Sequence, residues 1–403
     1  MTPAARVQAA IEALDLILAG AAAEQTLTRW ARGARHAGSG DRAAVRDLVY
    51  QAIRCRASYA SLGGAQTGRG LMLGHLRATG QVPDEVFSGA TYAPEPLSAQ
   101  ERAAGAPPDE EARRDLPGWL WPLFVTSLGQ DGAAAAVGAL KRRAPVTVRV
   151  HAGKNTVPEM CRSLAGDGIE AVPVQDIPGA LHLGKGARRL AQSQAYRDGA
   201  VELQDAHSQA AMLRLDVSAG TRVLDYCAGG GGKSLALAAR GAGRVFAHDA
   251  APRRMADLPE RAARAGACVD RLDGAEVRRQ APYDLVLCDV PCSGSGTWRR
   301  TPEAKWSFTQ TRLAELTACQ DAILARAAGL VAPGGDLAYT TCSVLHDEND
   351  ARVATFLDAG PDWQLTARQQ WPVNETGDGF FLATFRRTGD ADPARSVEIT
   401  RKE

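Results

Sequence analysis

The stretch VLDYCAGGGGKS, residues 223–234, determines the architecture of the second half of the chain. Apolar Val223 and Leu224 lead into a turn with four consecutive glycines, Gly229 to Gly232, and helix-forming residues follow. Glycine tolerates positive φ angles and lets the backbone approach a ligand closely. The pattern predicts a buried strand, a glycine-rich turn and a helix, which is the opening unit of an α/β sheet.

The same alternation of strand and helix continues from about residue 201 to residue 387. Further short apolar segments at 244–247, 285–289 and 336–341 are separated by helical stretches. This rhythm predicts a Rossmann-like, doubly wound α/β domain. In such sheets ligands bind beyond the carboxyl ends of the strands, so we expect the functional residues to follow strands.

The chain before this domain divides into two parts. Residues 1–135 predict an all-α domain, because apolar residues recur at helical spacing. Examples are Val7, Ile11, Leu14, Leu18, Val45, Val49 and Ile53. Residues 136–200 predict a small α/β unit, and the polar residues 388–403 predict a flexible tail.

The small α/β unit has clear local signals. Val146, Val148 and Val150 alternate with polar residues, which is the period of a half-buried strand. Thr156 and Glu159 form a capping-box pattern that begins a helix ending near Gly166. A second strand is expected at 169–174.

Composition limits the class of protein. The 403 residues carry 47 Lys and Arg against 46 Asp and Glu, a net charge of +1 that argues neither for nor against a nucleic-acid partner. Eight cysteines without a secretion signal favour a reducing cytoplasm. The longest apolar stretches, such as 133–140, are too short to cross a bilayer. We expect a cytoplasmic monomer that has neither a membrane nor a metal partner.

The glycine-rich turn admits three ligand hypotheses. A phosphate loop of the Walker type fails, because Cys227 stands where that motif requires glycine. A dinucleotide site is weakly supported in this register. In an S-adenosylmethionine site the turn would pass the methionine portion, Asp249 would bind the ribose hydroxyls and Asp273 the adenine amino group. The turn alone leaves the last two hypotheses open.

Two cysteines follow predicted strands and suggest thiol chemistry. Asp289 and Cys292 follow one buried strand, and Cys342 follows another. A thiolate that adds to carbon 6 of cytosine makes carbon 5 nucleophilic, and a second group is useful for releasing the product. Each cysteine could instead be a small core residue, as we expect for Cys288. The hypothesis that Cys288 and Cys292 bind zinc has little support from the sequence. The chemistry alone leaves Cys292 and Cys342 interchangeable.

These motifs, in this order, resemble the bacterial RsmB-type ribosomal RNA cytosine-5 methyltransferases of the wider Sun/Nop family. The resemblance covers nearly the whole chain, and its N-terminal part is similar to the family's NusB-like RNA-binding domain. The matching segments are 199–209, 227–233, Asp249, Asp273, 289–296, 299–306, 341–343, Glu348-Asn349 and 378–383. The sequence departs from the family at Gly230, usually proline, and at Val290, usually alanine. Pro259 is expected to interrupt the helix after Asp249.

The resemblance implies roles for individual residues. Cys342 would be the nucleophile and Cys292 would assist release, with Asp289 and Lys233 near the cytosine and the methionine end of the cofactor. The implied cofactor is S-adenosylmethionine. Its expected binding residues are Cys227, Ala228, Gly229, Gly230, Gly231, Gly232, Lys233, Asp249, Asp273 and Asp289.

The expected substrate is RNA, most directly small-subunit ribosomal RNA. A reactive cysteine cannot reach a base inside a duplex, so the target base must be unpaired or flipped out. Candidate phosphate contacts are Arg142, Arg143, Arg299, Arg300 and Lys305. The alternatives are a tRNA or large-subunit target and a non-catalytic assembly factor. A DNA enzyme is disfavoured because no target-recognition region follows the Pro-Cys motif.

Overall fold

The computed structural model describes residues 1–388; the predicted tail at 388–403 lies almost entirely outside the described residues. Within this range the chain forms two compact units. We call them the helical unit, residues 1–143 with 298–308, and the α/β unit, residues 144–297 with 309–388. Each unit is described separately below.

The first part of the chain is entirely helical, as predicted. Its helices are α1 (Pro3–Leu18), α2 (Ala23–Gly33), α3 (Ser39–Arg54), α4 (Arg56–Gly63), α5 (Gly68–Ala78), α6 (Pro83–Val86), α7 (Ala99–Ala103), α8 (Glu110–Arg114) and α9 (Leu120–Leu140). The apolar faces of α1, α3 and α5 form one core. Val45 and Val49 of α3 are completely buried there, as their helical spacing requires.

Helix α9 is, within residues 1–388, the one helix long and apolar enough to span a membrane by length and composition. At 21 residues it is longer than the apolar stretch 133–140 identified in the sequence. Its backbone breaks at Gly129, where φ is 72° and ψ is 169°. Neither half therefore approaches the about 20 residues that a span requires. Leu120, Phe124 and Leu140 are buried, but only 33% of the apolar window of α9 is buried.

The chain continues into a small antiparallel sheet. Its elements are β1 (Val146–Val150), α10 (Val157–Gly166), β2 (Ala171–Pro173), β3 (Ala180–Leu183), α11 (Gln194–Arg197) and β4 (Val201–Leu203), and α12 (Ala206–Leu213) follows. The strand order is β2-β3-β1-β4. The predicted first strand and the capping box of Thr156 and Glu159 at α10 are confirmed.

The rest of the α/β unit is a seven-stranded sheet within the described residues. Its elements are β5 (Arg222–Asp225), α13 (Gly232–Ala239), β6 (Arg244–Ala247), α14 (Leu258–Ala265), β7 (Val269–Arg271), α15 (Gly274–Gln280), β8 (Tyr283–Asp289), α17 (Gln310–Ala328), β9 (Val331–Thr341), α18 (Asp350–Ala359), β10 (Trp363–Trp371) and β11 (Phe380–Arg387). Helix α16 (Pro302–Ser307), which lies between β8 and α17 in the sequence, belongs to the helical unit. The predicted Rossmann-like architecture is confirmed.

The order of strands creates a crevice at the centre of this sheet. The order is β10-β11-β9-β8-β5-β6-β7, with β5 to β9 parallel and β11 antiparallel to β9. The chain runs outward from β5 to β7 and then returns to β8 on the other side of β5. Ligand sites form at such a switch point, beyond the carboxyl ends of the strands.

The domain boundaries differ from the sequence-based ones. The boundary at residue 135 falls inside α9, and the boundary at residue 200 separates β4 from its partner β1. Residues 298–308 interrupt the predicted catalytic domain, because they belong to the helical unit. Strand pairing and the packing of residues 298–308 with residues 1–143 are long-range events, so local composition does not reveal them.

Pro259 does not interrupt a helix. It is the second residue of α14, and the chain after Asp249 forms a separate 3-10 turn over Pro252–Met255. The first turn of a helix has no intrahelical partner for its N–H groups, so proline costs nothing there.

Candidate functional site

The predicted site residues follow the carboxyl ends of five adjacent strands. The glycine-rich turn follows β5, Asp249 follows β6 and Asp273 follows β7. Asp289 ends β8 and precedes Cys292, whereas Cys342 comes directly after β9. Because these strands are parallel neighbours, all these residues lie along one edge of the sheet.

The glycine-rich turn is held against the next strand by backbone hydrogen bonds. The Ala228 amide donates to the His248 carbonyl at 2.8 Å, and the Gly229 amide donates to Asp249 Oδ2 at 2.9 Å. Gly231 has a φ of 79°, and a Cβ atom there would lie 2.3 Å from the Leu258 side chain, so glycine is required. Gly230 does not adopt a positive φ, and a Cβ atom there would lie 3.0 Å from Nη1 of Arg261.

Two carboxylates, one buried and one exposed, lie at successive strand ends. Asp249 is 4% exposed; its Oδ1 accepts from the Ala251 amide at 2.8 Å and its Oδ2 pairs with Arg254 at 3.2 Å. Asp273 is exposed and caps α15 through one oxygen, and the hydrogen bond from the Glu276 amide lowers its pKa. A set of acceptors next to a glycine turn fits a ligand that presents ribose and amino groups.

Lys233 and Asp289 form an ion pair at the centre of the sheet edge. Their Nζ and Oδ2 atoms are 2.7 Å apart. Burial lowers the pKa of Lys233, but the charge and hydrogen bond of Asp289 outweigh it, so this pKa is raised. Thr340 Oγ1 donates to Asp289 Oδ1 at 3.1 Å. The carboxylate is thereby fixed between α13 and β9.

The two cysteines that were predicted to be catalytic lie next to each other. Cys292 Sγ and Cys342 Sγ are 3.4 Å apart, although 50 residues separate them. The hydrogen bond with Cys342, burial and the charges of Cys342 and Glu348 raise the pKa of Cys292 well above its ordinary value. Cys288 is fully buried in the sheet core, as its alternation with Asp289 predicts. The pair is chemically able to supply one nucleophile and one proton-transfer group.

Asp225 is a buried titratable group that the motif analysis assigned no role. It is completely buried at the end of β5 and accepts a hydrogen bond from Ser234 Oγ at 2.6 Å. Burial raises its pKa to about 7. The sequence signal that could have identified this residue is an acidic side chain in the last position of a predicted apolar strand. Its Oδ1 has no hydrogen-bond partner within residues 1–388.

The five candidate RNA contacts all belong to the helical unit, but their exposure differs. Arg142, Arg143 and Arg300 are exposed. Arg299 and Lys305 are each only 2% exposed. Lys305 Nζ donates to the Arg54 carbonyl at 2.8 Å, and burial lowers its pKa to about 8. In this structure Arg299 and Lys305 are interior residues, and a phosphate cannot reach them.

The described residues 1–388 contain no group of three or more His, Cys, Asp or Glu side chains that could hold a metal ion.

The fold and the strand-end site are those of a Rossmann-like methyltransferase. The structure is similar to the crystal structure of PH0851, with a TM-score of 0.73 and 25% identity over 96% of this chain and 99% of that one. A methyltransferase homolog protein from Pyrococcus horikoshii has a TM-score of 0.61 and 22% identity over 69% of this chain and 98% of that one.

Sequence comparisons then identify the family. A model described as 16S rRNA methyltransferase RsmB/F matches residues 212–386, and an RsmF/B-like ferredoxin-like domain matches residues 116–188. Ribosomal RNA small subunit methyltransferase B of Klebsiella pneumoniae is 34% identical over 289 residues, 68% of this chain and 67% of the relative. The chain belongs to the RsmB/F methyltransferase family.

The alignments leave part of each relative unmatched. Ribosomal RNA small subunit methyltransferase B of Salmonella arizonae is 34% identical over 68% of this chain and 66% of its own length. For a relative from Klebsiella pneumoniae subsp. pneumoniae, also 34% identical, the shares are 61% and 60%. The chain thus spans about 60 to 67% of the length of these relatives.

The protonation of Asp225 makes stability depend on pH. Its pKa is about 7 in the folded protein against an ordinary value of 3.8, so the folded state binds more protons between these values. Below about pH 4 the Asp225 carboxyl is protonated in the folded and in the unfolded state. As the pH rises towards 7, the free energy of unfolding of the unchanged chain falls, because the unfolded state has lost this proton and the folded state retains it. Asp225→Asn does not titrate.

We therefore expect the free energy of unfolding of Asp225→Asn, relative to the unchanged chain, to increase between about pH 4 and pH 7. The slope should reach up to about 1.4 kcal/mol per pH unit. Urea denaturation at a series of pH values measures it. Parallel stability curves for the two proteins would show that Asp225 is ionised in the folded state.

Proposed function

We propose that this protein transfers a methyl group from S-adenosylmethionine to carbon 5 of a cytosine in RNA, with small-subunit ribosomal RNA as the expected substrate. The observation that carries the proposal is the 3.4 Å separation of Cys292 Sγ and Cys342 Sγ at the sheet edge. Family membership supports RNA methylation. The two thiols support a reaction that needs covalent activation of the base.

The proposed site for S-adenosylmethionine is the glycine-rich turn with the carboxylates that follow it. The turn, residues 227–233, would pass the methionine portion, Asp249 would accept from the ribose hydroxyls and Asp273 from the adenine amino group. The acceptors observed at these strand ends suit those donors. When bound, S-adenosylmethionine supplies an electrophilic methyl group beside the base.

The chain's own residues perform the covalent steps. Cys342 Sγ adds to carbon 6 of the cytosine, which makes carbon 5 nucleophilic. After methylation a base removes the carbon 5 proton, the electrons of that C–H bond re-form the double bond between carbons 5 and 6, and the bond between Sγ and carbon 6 breaks, so that Cys342 leaves as a thiolate. Cys292, once it has lost its own proton to water, is the proposed acceptor of the carbon 5 proton, and its raised pKa makes its thiolate a strong proton acceptor.

The assignment of Cys342 as attacker follows the family resemblance. Lys233 is paired with Asp289 at 2.7 Å, and the charge of Cys342 is among the charges that raise the pKa of Lys233, after the charge and hydrogen bond of Asp289. Lys233, Asp289 and Cys342 therefore belong to one group of interacting charges at the sheet edge.

RNA would be bound by the helical unit, which includes residues 298–308. The helical unit is proposed to be the NusB-like RNA-binding domain, and its exposed Arg142, Arg143 and Arg300 are proposed phosphate contacts. A tRNA or large-subunit target and a non-catalytic assembly factor are the alternatives. The presence of both cysteines with Lys233 and Asp289 in contact favours catalysis. We propose a cytoplasmic monomer.

Substitution of each cysteine tests the mechanism. Cys342→Ala should abolish methylation and form no RNA adduct, because the attacking sulfur is missing. Cys292→Ala should accumulate a denaturation-resistant protein–RNA adduct, because attack proceeds and release does not. The measurement is gel electrophoresis under denaturing conditions after incubation with S-adenosylmethionine and RNA. An adduct with Cys342→Ala and none with Cys292→Ala would reverse the roles.

The different exposure of Arg300 and Lys305 gives a second test. Arg300→Ala should reduce the slope of log Kd against log salt for RNA by about 1, since one phosphate contact is lost. Lys305→Met should leave this slope unchanged, because its charge is buried. Equal reductions for both variants, each verified as folded by circular dichroism, would contradict the structural assignment of Lys305.

A further inference from the structure

Two consecutive polar residues lie completely buried behind the cysteines. Glu348 and Asn349, in the connection between β9 and α18, have no exposed surface. Burying a carboxylate and an amide is costly unless hydrogen bonds satisfy them. Their partners therefore indicate what the two side chains stabilise.

Glu348 holds the loop that carries Cys292. Its Oε1 accepts from the Ser293 amide at 2.7 Å, and its Oε2 accepts from Ser293 Oγ. Gln320 Nε2 donates to Glu348 Oε1 at 3.1 Å and to the Pro291 carbonyl at 3.0 Å. Glu348, directly and through Gln320, thus fixes the residues on both sides of Cys292.

Asn349 holds the chain around Cys342 in the same way. Its Oδ1 accepts from Thr341 Oγ1 at 2.6 Å, and its Nδ2 donates to the Ser343 carbonyl at 3.0 Å. Thr341 and Ser343 are the immediate neighbours of Cys342. The amide of Asn349 therefore bridges the two sides of this cysteine.

The two cysteine loops are also joined to each other. Ser295 Oγ and Ser343 Oγ are 2.9 Å apart, and the Gly296 amide donates to the Cys342 carbonyl at 3.0 Å. Tyr339 Oη donates to the Glu348 carbonyl at 2.6 Å, which anchors the connection to β9. A displacement of Glu348 or Asn349 would thus be transmitted to a sulfur atom.

We propose that Glu348 and Asn349 are positioning residues with separate roles. Glu348 orients Cys292 for release of the methylated cytosine, and Asn349 orients Cys342 for attack on carbon 6. This inference rests on the proposed function. Misplacing a reacting group by about 1 Å can cost a factor of about 100 in rate. Removing either side chain should therefore affect the step of the cysteine that it holds.

Glu348 has a second influence on Cys292. After the hydrogen bond with Cys342 and burial, the negative charges of Cys342 and Glu348 raise the pKa of Cys292. A carboxylate in this place disfavours a thiolate at Cys292. Glu348 therefore makes Cys292 a poorer nucleophile at rest and a stronger proton acceptor once it is ionised, and it leaves nucleophilic attack to Cys342.

The adduct assay separates the two roles. Glu348→Ala should behave like Cys292→Ala: methyl transfer falls on the order of 100-fold, and the denaturation-resistant RNA adduct accumulates. Asn349→Ala should lose turnover to a similar extent without an adduct, like Cys342→Ala. A merely structural defect would give neighbouring residues the same phenotype. Equal adduct yields from the two variants would overturn the proposal.

Matched controls accompany these variants. Asp350→Asn removes the adjacent carboxylate, which pairs with Arg368 at 2.7 Å and lies 3.7 Å from His346 Nδ1, so its turnover should be unchanged. Cys292→Ala in the same assay monitors the proposed function. If it traps no adduct, the proposed mechanism fails, whereas an adduct with Cys292→Ala and none with Glu348→Ala refutes only the positioning role of Glu348.

Alkylation provides a readout without RNA. Glu348→Gln retains the shape and can still accept from the Ser293 amide, but it removes the charge. The pH midpoint for alkylation of Cys292 by iodoacetamide, followed by peptide mass spectrometry, should move to lower pH in this variant and remain unchanged in Asp350→Asn. An unchanged midpoint in Glu348→Gln would overturn the electrostatic role of Glu348.

Discussion

The parallel pairing of β8 with β9 is the constraint on which the proposed chemistry depends. Its register places Asp289 opposite Thr340, so the two strands end at the same level of the sheet. The loops that follow bring Cys292 and Cys342 within 3.4 Å of each other. A shift of either strand by one residue along its neighbour would move its sulfur by about 3.3 Å. The two sulfur atoms could then no longer both contact the same base.

Hydrogen-bonded polar groups, partly buried at Asp289 and fully buried at Glu348, maintain this alignment at the sheet edge. Asp289 is held from one side by Lys233 and from the other by Thr340, and Glu348 is held by Ser293 and Gln320. Each of these contacts joins elements that are distant in sequence. A buried charge that loses a partner destabilises the folded protein. The network therefore stabilises one arrangement of the two loops relative to alternatives in which a partner is lost.

The sequence predicted the strand ends well, because strand, turn and motif are local signals; β6 and the positions of Cys292 and Cys342 match expectation. Long-range packing was not predictable. A lysine in a basic segment indicates a phosphate contact, and only the packing onto α3 shows that Lys305 is interior. The resemblance included Glu348, but its contact with the Cys292 loop depends on tertiary structure.

Base-resolution mapping of the methyl group tests the central claim most directly. The protein would be incubated with methyl-labelled S-adenosylmethionine and unmodified ribosomal RNA transcribed in vitro, and the digested RNA would be analysed by mass spectrometry. The account predicts 5-methylcytosine at a defined cytosine. Label on another atom or base, or no transfer while cofactor binding is demonstrated, would contradict it.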